Sequence, residues 1–499
     1  MTALMPITQS APVHLKPIAP ALIAGFCVIA ATFVLRFGQF GNPIAGLDEQ
    51  FYLLVGDRMW HGELPYVDIW DRKPFGLFLL FAAIRLLPGD GVLAAQILAT
   101  LFVAGTAWCI VLLVRRAVGW HPAVMGGIFY VAAVNELWGE TTQTPTFYNL
   151  PIAIAALLTL HAAHDPRARC KAAAGAMLLA GLAIQIKTSA IFQGGFFGLW
   201  LLGAVWRDSR AAKPLLTAAI QLAAIAAAPT LAVMALYVAL GEYPAWWQAN
   251  ITSVLAKGMP TDVAAKSSFA ESLILFFPVG TLAAVGLWAQ TKRLESYSVE
   301  TGFYVGWIVL AVVDFLALGG YYPHYTLPLI LACAPFISHA FALRRAGVIL
   351  FALTLAWPLL HAAILNPRIA ALERGYAAQV TARIPAEVRE RCLFIYEGPV
   401  AYYRLTDACR VTRFPFSAHI SSRREGPSLG INPAVALDQA LARRPFVVMT
   451  VEHSNWPDRN LSIERRLGRH LLRDYRLIAR VPHRHYSQKE RVLLWQLRV

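Results

Sequence analysis

The sequence is poor in charge: Asp, Glu, Lys and Arg together make up 15% of its 499 residues, whereas hydrophobic residues make up 57%. A soluble domain of ordinary composition has about 25% charged residues, so a soluble globular fold is excluded. No Gly-rich phosphate-binding loop follows a predicted strand, which argues against a nucleotide-dependent enzyme. The net charge of +15 comes from short basic clusters between apolar segments. This arrangement is typical of membrane orientation and not of nucleic-acid binding.

Cysteine is also scarce, with six residues and no Cys-x-x-Cys or His/Cys spacing that would predict a zinc site. Four of them lie in or beside apolar segments and are Cys27, Cys109, Cys170 and Cys333. The other two, Cys392 and Cys409, are 17 positions apart in the polar C-terminal part. They either form a disulfide, if that part lies in an oxidising compartment, or remain two separate buried thiols.

Eleven apolar segments have the length of a membrane-spanning helix. Their approximate ranges are 17–37, 91–114, 120–136, 149–164, 172–186, 190–206, 214–240, 271–290, 301–320, 324–343 and 346–364. The first is interpreted as a retained helix, because no convincing signal-peptide cleavage site follows it. The sequence therefore predicts a polytopic α-helical membrane protein.

Basic clusters lie between alternate spans, and all of them fall on the side that contains the N-terminus. They are Arg115-Arg116, Arg167/Arg169/Lys171, Arg207/Arg210/Lys213, Lys292-Arg293 and Arg344-Arg345. The positive-inside rule makes this side cytoplasmic. An odd number of spans then places the C-terminus outside, and a bacterial inner membrane with a periplasmic C-terminal domain is the expected location.

One apolar run, 75–87, is only 13 residues long. At 1.5 Å per residue it is too short for a hydrocarbon layer of about 30 Å. If it did cross, every later basic cluster would move to the outside. We therefore expect an interfacial or re-entrant helix here, within a first extracytoplasmic loop that covers 38–90.

The composition changes near residue 365, where the chain becomes polar and basic. Short β-like runs at 392–396 and 446–451 flank a helix-like segment at 433–443. This pattern predicts a small extracytoplasmic α/β domain over 365–499, after a transmembrane domain over 1–364.

The first external loop concentrates polar residues that are costly to keep beside a bilayer. The acidic pair Asp48-Glu49 comes first, and Arg72-Lys73-Pro74 follows just before the short apolar run. Charged and aromatic residues concentrated there indicate that the loop does chemistry or binds a ligand. This loop is therefore the candidate active site.

The acidic pair, the Lys73-Pro74 step and the short helix together resemble the GT-C membrane glycosyltransferases, such as the protein O-mannosyltransferases and the lipid A aminoarabinose transferases. The segment 181–187 is similar to their Gly-Leu-Ala-x-x-x-Lys element, and 322–325 resembles their aromatic/His loop before a late span. The resemblance implies a GT-C fold and inverting transfer of a sugar from a polyprenyl phosphate. The acceptor is expected to be an envelope glycan, a lipid or a protein, with membrane lipids as surroundings and no nucleic acid as partner.

The resemblance also suggests roles for the acidic residues. Asp48 is the candidate general base, and Glu49 is expected to hold Asp48, a cation or the acceptor in place. The alternatives are that Asp48 caps a helix and Glu49 faces solvent. The family has a further acid in its second external loop, for which Glu140 is the nearest candidate.

The candidate donor-binding residues are Arg72, Lys73, Lys187, Tyr322 and His324. Arginine and lysine can hold a lipid phosphate, although both also act as ordinary anchors near headgroups. His324 with an acid is also a candidate ligand set for a divalent metal, or else a packing residue. No definite cofactor is predicted, and Arg72 stands where many relatives have Glu or His, which argues against a metal beside it.

Three further features have weaker interpretations. Tyr243, Trp246 and Trp247 are more typical of an aromatic belt than of sugar stacking. Asp314 lies within the ninth span and has no assigned role. Arg423-Arg424 and Arg465-Arg466 are interpreted as basic surface of the C-terminal domain.

Two other functional classes remain open. A secondary transporter or flippase also has many spans, but here the polar residues cluster in one external loop and not at the midplane. A non-catalytic scaffold would use the C-terminal domain as its binding module.

Overall fold

The structure is a computed structural model that describes residues 19–258, 262–293, 299–317, 319–452, 458–485 and 488–498. The first half of the chain forms α1 (Ala19–Arg36), α2 (Leu47–Met59), α3 (Phe75–Ile84), α4 (Val92–Val118), α5 (Trp120–Val134), α6 (Thr144–His164), α7 (Arg169–Ile184), α8 (Ile191–Ser209) and α9 (Ala212–Ala239). It continues with α10 (Tyr243–Trp247), α11 (Ser253–Ala256), α12 (Asp262–Arg293), α13 (Val299–Ala317), α14 (Leu327–Phe341), α15 (Arg344–Leu360) and α16 (Asn366–Thr381). The C-terminal part contains α17 (Val388–Arg391), β1 (Leu393–Ile395), α18 (Ala401–Leu405), α19 (Ser417–Ser421), α20 (Pro433–Ala442), β2 (Val447–Glu452), α21 (Leu461–Asp474), β3 (Tyr475–His485) and β4 (Gln488–Leu497).

Each of the eleven predicted spans overlaps one long helix, namely α1, α4 to α9, or α12 to α15. Within the described residues, eight helices are long and apolar enough to cross a membrane, where α15 and α16 count as one continuous helix. The other three, α5, α7 and α14, have 15 to 16 residues. Helix α14 is buried along its whole length, so it packs against protein and not against lipid. The polytopic helical fold is confirmed.

The short apolar run forms α3, a helix of ten residues. Its length of about 15 Å is half the thickness of the hydrocarbon layer. The last span does not end where the polar part begins, because α15 continues through a π-helical turn at His361–Leu365 into α16. The division into domains at residue 364 stays a prediction.

The C-terminal part contains a four-stranded sheet with the order β1-β2-β4-β3. Strands β1 and β2 are parallel, whereas β4 pairs antiparallel with both β2 and β3. Cys392 and Cys409 form a disulfide next to the start of β1. The predicted runs at 392–396, 433–443 and 446–451 correspond to β1, α20 and β2.

The first loop, 38–90, and the C-terminal part share one hydrophobic core. The ring of Phe51 lies 5.4 Å from that of Phe416, and the backbone N–H of Trp70 donates to the carbonyl of Arg413 at 2.8 Å. Residues far apart in sequence therefore build a single layer, which holds the candidate site from both sides.

Helices α12 and α14 pack so closely that one glycine is required between them. A Cβ atom on Gly286 of α12 would lie 1.7 Å from the carbonyl oxygen of Phe336 on α14. Small residues permit such close packing of helices in membranes.

We expect Gly286→Ala to push α12 and α14 apart and to lower the free energy of unfolding by about 1–3 kcal/mol, the usual cost of overpacking. Gly280→Ala on the same helix is the control, because its new Cβ would meet only the Phe276 ring at an ordinary 3.5 Å. Thermal unfolding in detergent measures both. Equal unfolding midpoints for the two variants would contradict the close contact.

Candidate active site

The acidic pair lies in the first turn of α2, whose preceding residue, Gly46, has φ +64°. The hydroxyl of Tyr52 donates to Asp48 Oδ2 at 3.1 Å, and Lys73 Nζ lies 3.5 Å from the same oxygen. No side-chain capping bond occurs at this helix start, so the alternative that Asp48 serves as the cap is wrong. The side chain of Asp48 is 28% exposed, so solvent or a substrate can reach it.

Glu49 is buried, which corrects the alternative that it faces solvent. The hydroxyl of Thr141 donates to Glu49 Oε1, while Oε2 is buried without a hydrogen-bond partner among the described residues. The carboxyl group occupies the space where a Cβ on Gly46 would be. Burial raises the pKa of Glu49 to about 8, so this residue is mainly protonated at neutral pH.

The second loop, between α5 and α6, is held beside Glu49 by Arg36, at the end of α1. The buried Arg36 guanidinium donates to Asn135 Oδ1, to the carbonyls of Gly139 and Thr141, and to Thr100 Oγ1. Glu140 follows Gly139 in the chain. Burial raises the pKa of Glu140, although the positive charge of Arg36 acts against this. The charge of Glu140 also acts on Glu49, so the structure brings the second-loop acid candidate towards the acidic pair.

Asp71 shapes the turn that presents the two loop cations. Its Oδ1 accepts the backbone N–H groups of Arg72 and Lys73, and its Oδ2 lies 3.6 Å from His419 Nε2. Burial alone would raise the pKa of Asp71, but the nearby His419 and the charges of Lys73 and Arg72 lower it to about 2. Asp71 therefore stays ionised and keeps the turn in place.

The two loop cations have different partners. Lys73 contacts Asp48 and lies 5.5 Å from the centre of the Tyr52 ring. Arg72 forms an ion pair with Glu425 of the C-terminal part, and its Nη1 is buried without a partner among the described residues. Arg72 and Lys73 are thus next to each other but face different carboxylates.

Lys187 follows α7 and is only 8% exposed. Its Nζ lies 4.2 Å from the centre of the Tyr325 ring. Burial lowers the pKa of Lys187 to about 8, although the nearby carboxylate of Asp314 opposes this. Asp314 is itself buried. Its carboxylate, within the ninth span, acts on the charge of Lys187 and therefore lies near the site.

The aromatic/His segment packs as a stack of rings. The His324 ring is parallel to that of Tyr322 at 5.8 Å and edge-on to that of Tyr325 at 4.6 Å. Burial lowers the pKa of His324 well below its usual value, and the nearby charges of Lys187 and Lys73 lower it further. The imidazole is therefore neutral and can donate or accept a hydrogen bond, but it adds no charge to the site.

The metal hypothesis for His324 has no cluster to support it: across the described ranges no group of three His, Cys, Asp or Glu side chains could hold a metal ion. The aromatic-belt interpretation fails for one residue. Trp246 is 6% exposed and packs in the core shared by the first loop and the C-terminal part, whereas Trp247 is 45% exposed.

Sequence reasoning missed two cations of the site. Lys257 Nζ lies 3.1 Å from Glu425 Oε1, and Arg424 is 7% exposed. The interpretation of Arg424 as basic surface is therefore wrong, and only its neighbour Arg423 is exposed. No local signal separates the two arginines, because the burial of Arg424 depends on loops that precede it by 100 residues or more.

The site therefore has an acidic and a cationic side that meet at the contact between Asp48 and Lys73. The acidic side contains Asp48, Glu49 and Glu140, and the cationic side contains Arg72, Lys73, Lys187, Lys257 and Arg424. A carboxylate beside grouped cations suits a reaction in which a hydroxyl loses its proton while an anionic group departs.

The chain is similar to known proteins in part of its sequence and in its fold. Residues 72–233 match the family described as dolichyl-phosphate-mannose-protein mannosyltransferase. The crystal structure of ArnT from Cupriavidus metallidurans in the apo state superposes with a TM-score of 0.65 at 15% identity, over 96% of this chain and 98% of that chain. No curated protein sequence matches significantly.

Two other solved structures superpose with lower TM-scores. The Archaeoglobus fulgidus oligosaccharyltransferase gives 0.46 at 11% identity, over 86% of this chain and 67% of that chain. The arabinofuranosyltransferase AftD from Mycobacteria gives 0.48 at 14% identity, over 97% of this chain and 40% of that chain. The ArnT superposition confirms the predicted GT-C fold. The family match supports a membrane glycosyltransferase, and the transporter alternative is not favoured.

The protonation of Glu49 can be measured directly. We expect the infrared difference spectrum of wild type minus Glu49→Gln to contain the band of a protonated carboxyl group at neutral pH, because burial raises the pKa of Glu49 to about 8. The band should disappear well above that pH. Asp68→Asn changes an exposed acid of the same loop and should give no such band. A spectrum without the band at neutral pH would mean that Glu49 is ionised.

Proposed function

We propose that the protein transfers a sugar from a polyprenyl-phosphate donor to an acceptor of the cell envelope, with inversion at the anomeric carbon and with Asp48 as the general base. The observation that carries this proposal is the contact of Asp48 with Lys73, at 3.5 Å. It joins a reachable carboxylate to a group of cations within one external site.

Asp48 suits the role of base better than Glu49. Its carboxylate is partly exposed and is oriented by Tyr52 and Lys73. Glu49 is buried, and with a pKa raised to about 8 it mainly carries a proton at neutral pH. A protonated acid cannot accept a proton, so Glu49 is assigned to positioning the start of α2 and the second loop through its hydrogen bond with Thr141.

The cations suit the leaving group. Arg72, Lys73 and Lys187 are assigned to the donor phosphate, and His324 and Tyr322 to neutral contacts beside it. As the acceptor oxygen attacks the anomeric carbon, its proton passes to Asp48 and the carbon–oxygen bond to the phosphate breaks. The second negative charge that develops on the phosphate is then stabilised by the nearby cations. A single displacement of this kind inverts the anomeric centre.

The acceptor is assigned only by class, as an envelope glycan, lipid or protein. The N-terminus is proposed to be cytoplasmic and the part from residue 365 onward periplasmic. The disulfide between Cys392 and Cys409 supports this orientation, because disulfides persist in oxidising compartments.

Asp48→Asn should lower kcat/KM by at least about 100-fold, since loss of a general base typically costs a factor of 10² to 10⁴. The measurement is the loss of labelled sugar from a polyprenyl-phosphate sugar in detergent, with cell-envelope extract as the source of acceptor. Asp68→Asn, an exposed acid of the same loop, is the matched control and should keep wild-type rates. A fully active Asp48→Asn enzyme would rule out Asp48 as the base.

Donor binding should weaken as the pH rises through about 8. A lysine loses its charge above its pKa, and burial lowers the pKa of Lys187 to about 8. Titration of polyprenyl phosphate at a series of pH values measures this effect. Lys187→Arg should remove the alkaline loss of affinity, because a guanidinium stays charged in this range. If Lys187→Arg retains the same pH dependence, another group is responsible for it.

A further inference from the structure

We propose that the C-terminal part supplies one wall of the donor-phosphate site, with Arg424 as a phosphate-binding residue and Glu425 as the carboxylate that the phosphate displaces. This inference rests on the function proposed above. It assigns to the polar C-terminal part a direct role in binding the donor.

Arg424 is held in position by the segment that precedes α12. Its Nε donates to the carbonyl of Gly258 at 3.1 Å, and the N–H of Gly258 donates to the carbonyl of Arg424 at 3.0 Å. This pair of hydrogen bonds fixes the backbone and the inner part of the guanidinium. The side chain is therefore ordered before any ligand arrives, which lowers the entropic cost of binding.

The outer part of the Arg424 guanidinium lies beside Gly320. A Cβ atom on Gly320 would lie 3.3 Å from Arg424 Nη1 and 3.1 Å from Tyr325 Cε2, so the absence of a side chain at Gly320 lets both groups approach. Lys187 lies over the same Tyr325 ring. Arg424 and Lys187 therefore converge on Tyr325 although they belong to different parts of the chain.

Among the described residues, the Arg424 guanidinium donates a hydrogen bond through Nε, and the buried Nη1 of Arg72 has no hydrogen-bond partner. Buried charged donors without partners are costly. A phosphate group offers several acceptor oxygens and suits guanidinium groups geometrically. An anion of this kind would provide the acceptor that Arg72 Nη1 lacks and would also fit the outer nitrogens of Arg424.

In the absence of a ligand, the carboxylate of Glu425 partly takes the place of such an anion. Its two oxygens pair with Arg72 and with Lys257, so one carboxylate serves two cations. Burial lowers the pKa of Lys257 well below its usual value, and the charges of Arg72, Arg424 and Lys73 lower it further. The site thus has less negative than positive charge. A phosphate that bound Arg72 and Lys257 would release Glu425 from both.

The experiment compares variants of two adjacent arginines in the full-length protein. Polyprenyl monophosphate in detergent micelles is titrated against wild type, Arg424→Gln and Arg423→Gln. Arg424→Gln should raise the Kd at least tenfold, and Arg424→Lys should recover part of this loss. Arg423 is exposed, so Arg423→Gln should change the Kd less than twofold.

Glu425→Gln provides a test in the opposite direction. Removal of the competing carboxylate should lower the Kd several-fold, and a gain in affinity cannot result from misfolding. Equal Kd values for Arg424→Gln and Arg423→Gln, or weaker binding by Glu425→Gln, would overturn the inference and leave the proposed function intact. A wild-type protein that binds no polyprenyl phosphate would overturn both.

Discussion

The repulsion among five cations in a poorly solvated space is the constraint on which the rest of the site depends. Two unit charges 4 Å apart interact by about 4 kcal/mol at an effective dielectric constant of 20, so the group needs compensating carboxylates. Asp48 and Glu425 supply them by direct contact with Lys73, Arg72 and Lys257. The rings of Tyr52 and Tyr325 contribute through their negatively charged faces. The protein charges of the site are therefore incompletely balanced.

Most of the membrane architecture could be predicted from the sequence, because the length of an apolar segment depends only on consecutive residues. All eleven apolar segments form helices, and the run at 75–87 forms a helix too short to cross. The acidic pair and the Arg72-Lys73 step were also identifiable, since charges beside a bilayer stand out from their surroundings. The acidic pair and this step meet in one site because they are close together in the sequence, within the same loop.

The remaining parts depend on contacts between distant residues. Arg424 and Glu425 stand in a run of charged residues that resembles an ordinary solvated turn, and only the packing of Gly258 and Arg72 against them distinguishes them from Arg423. His419 was missed for the same reason, because it meets Asp71 across almost 350 positions. The hairpin of β3 and β4 was missed because basic residues interrupt the apolar alternation of Tyr475–His485.

The core shared by the first loop and the C-terminal part has a consequence for biosynthesis. The loop leaves the ribosome early, whereas Phe414, Phe416 and His419, which pack against Phe51 and Trp70, are made much later. During synthesis the acidic pair and its cations are therefore present on an unfinished scaffold. A chain that ends before Arg424 and Glu425 lacks part of the centre, so the complete site assembles only after these residues have been made and have packed against the first loop.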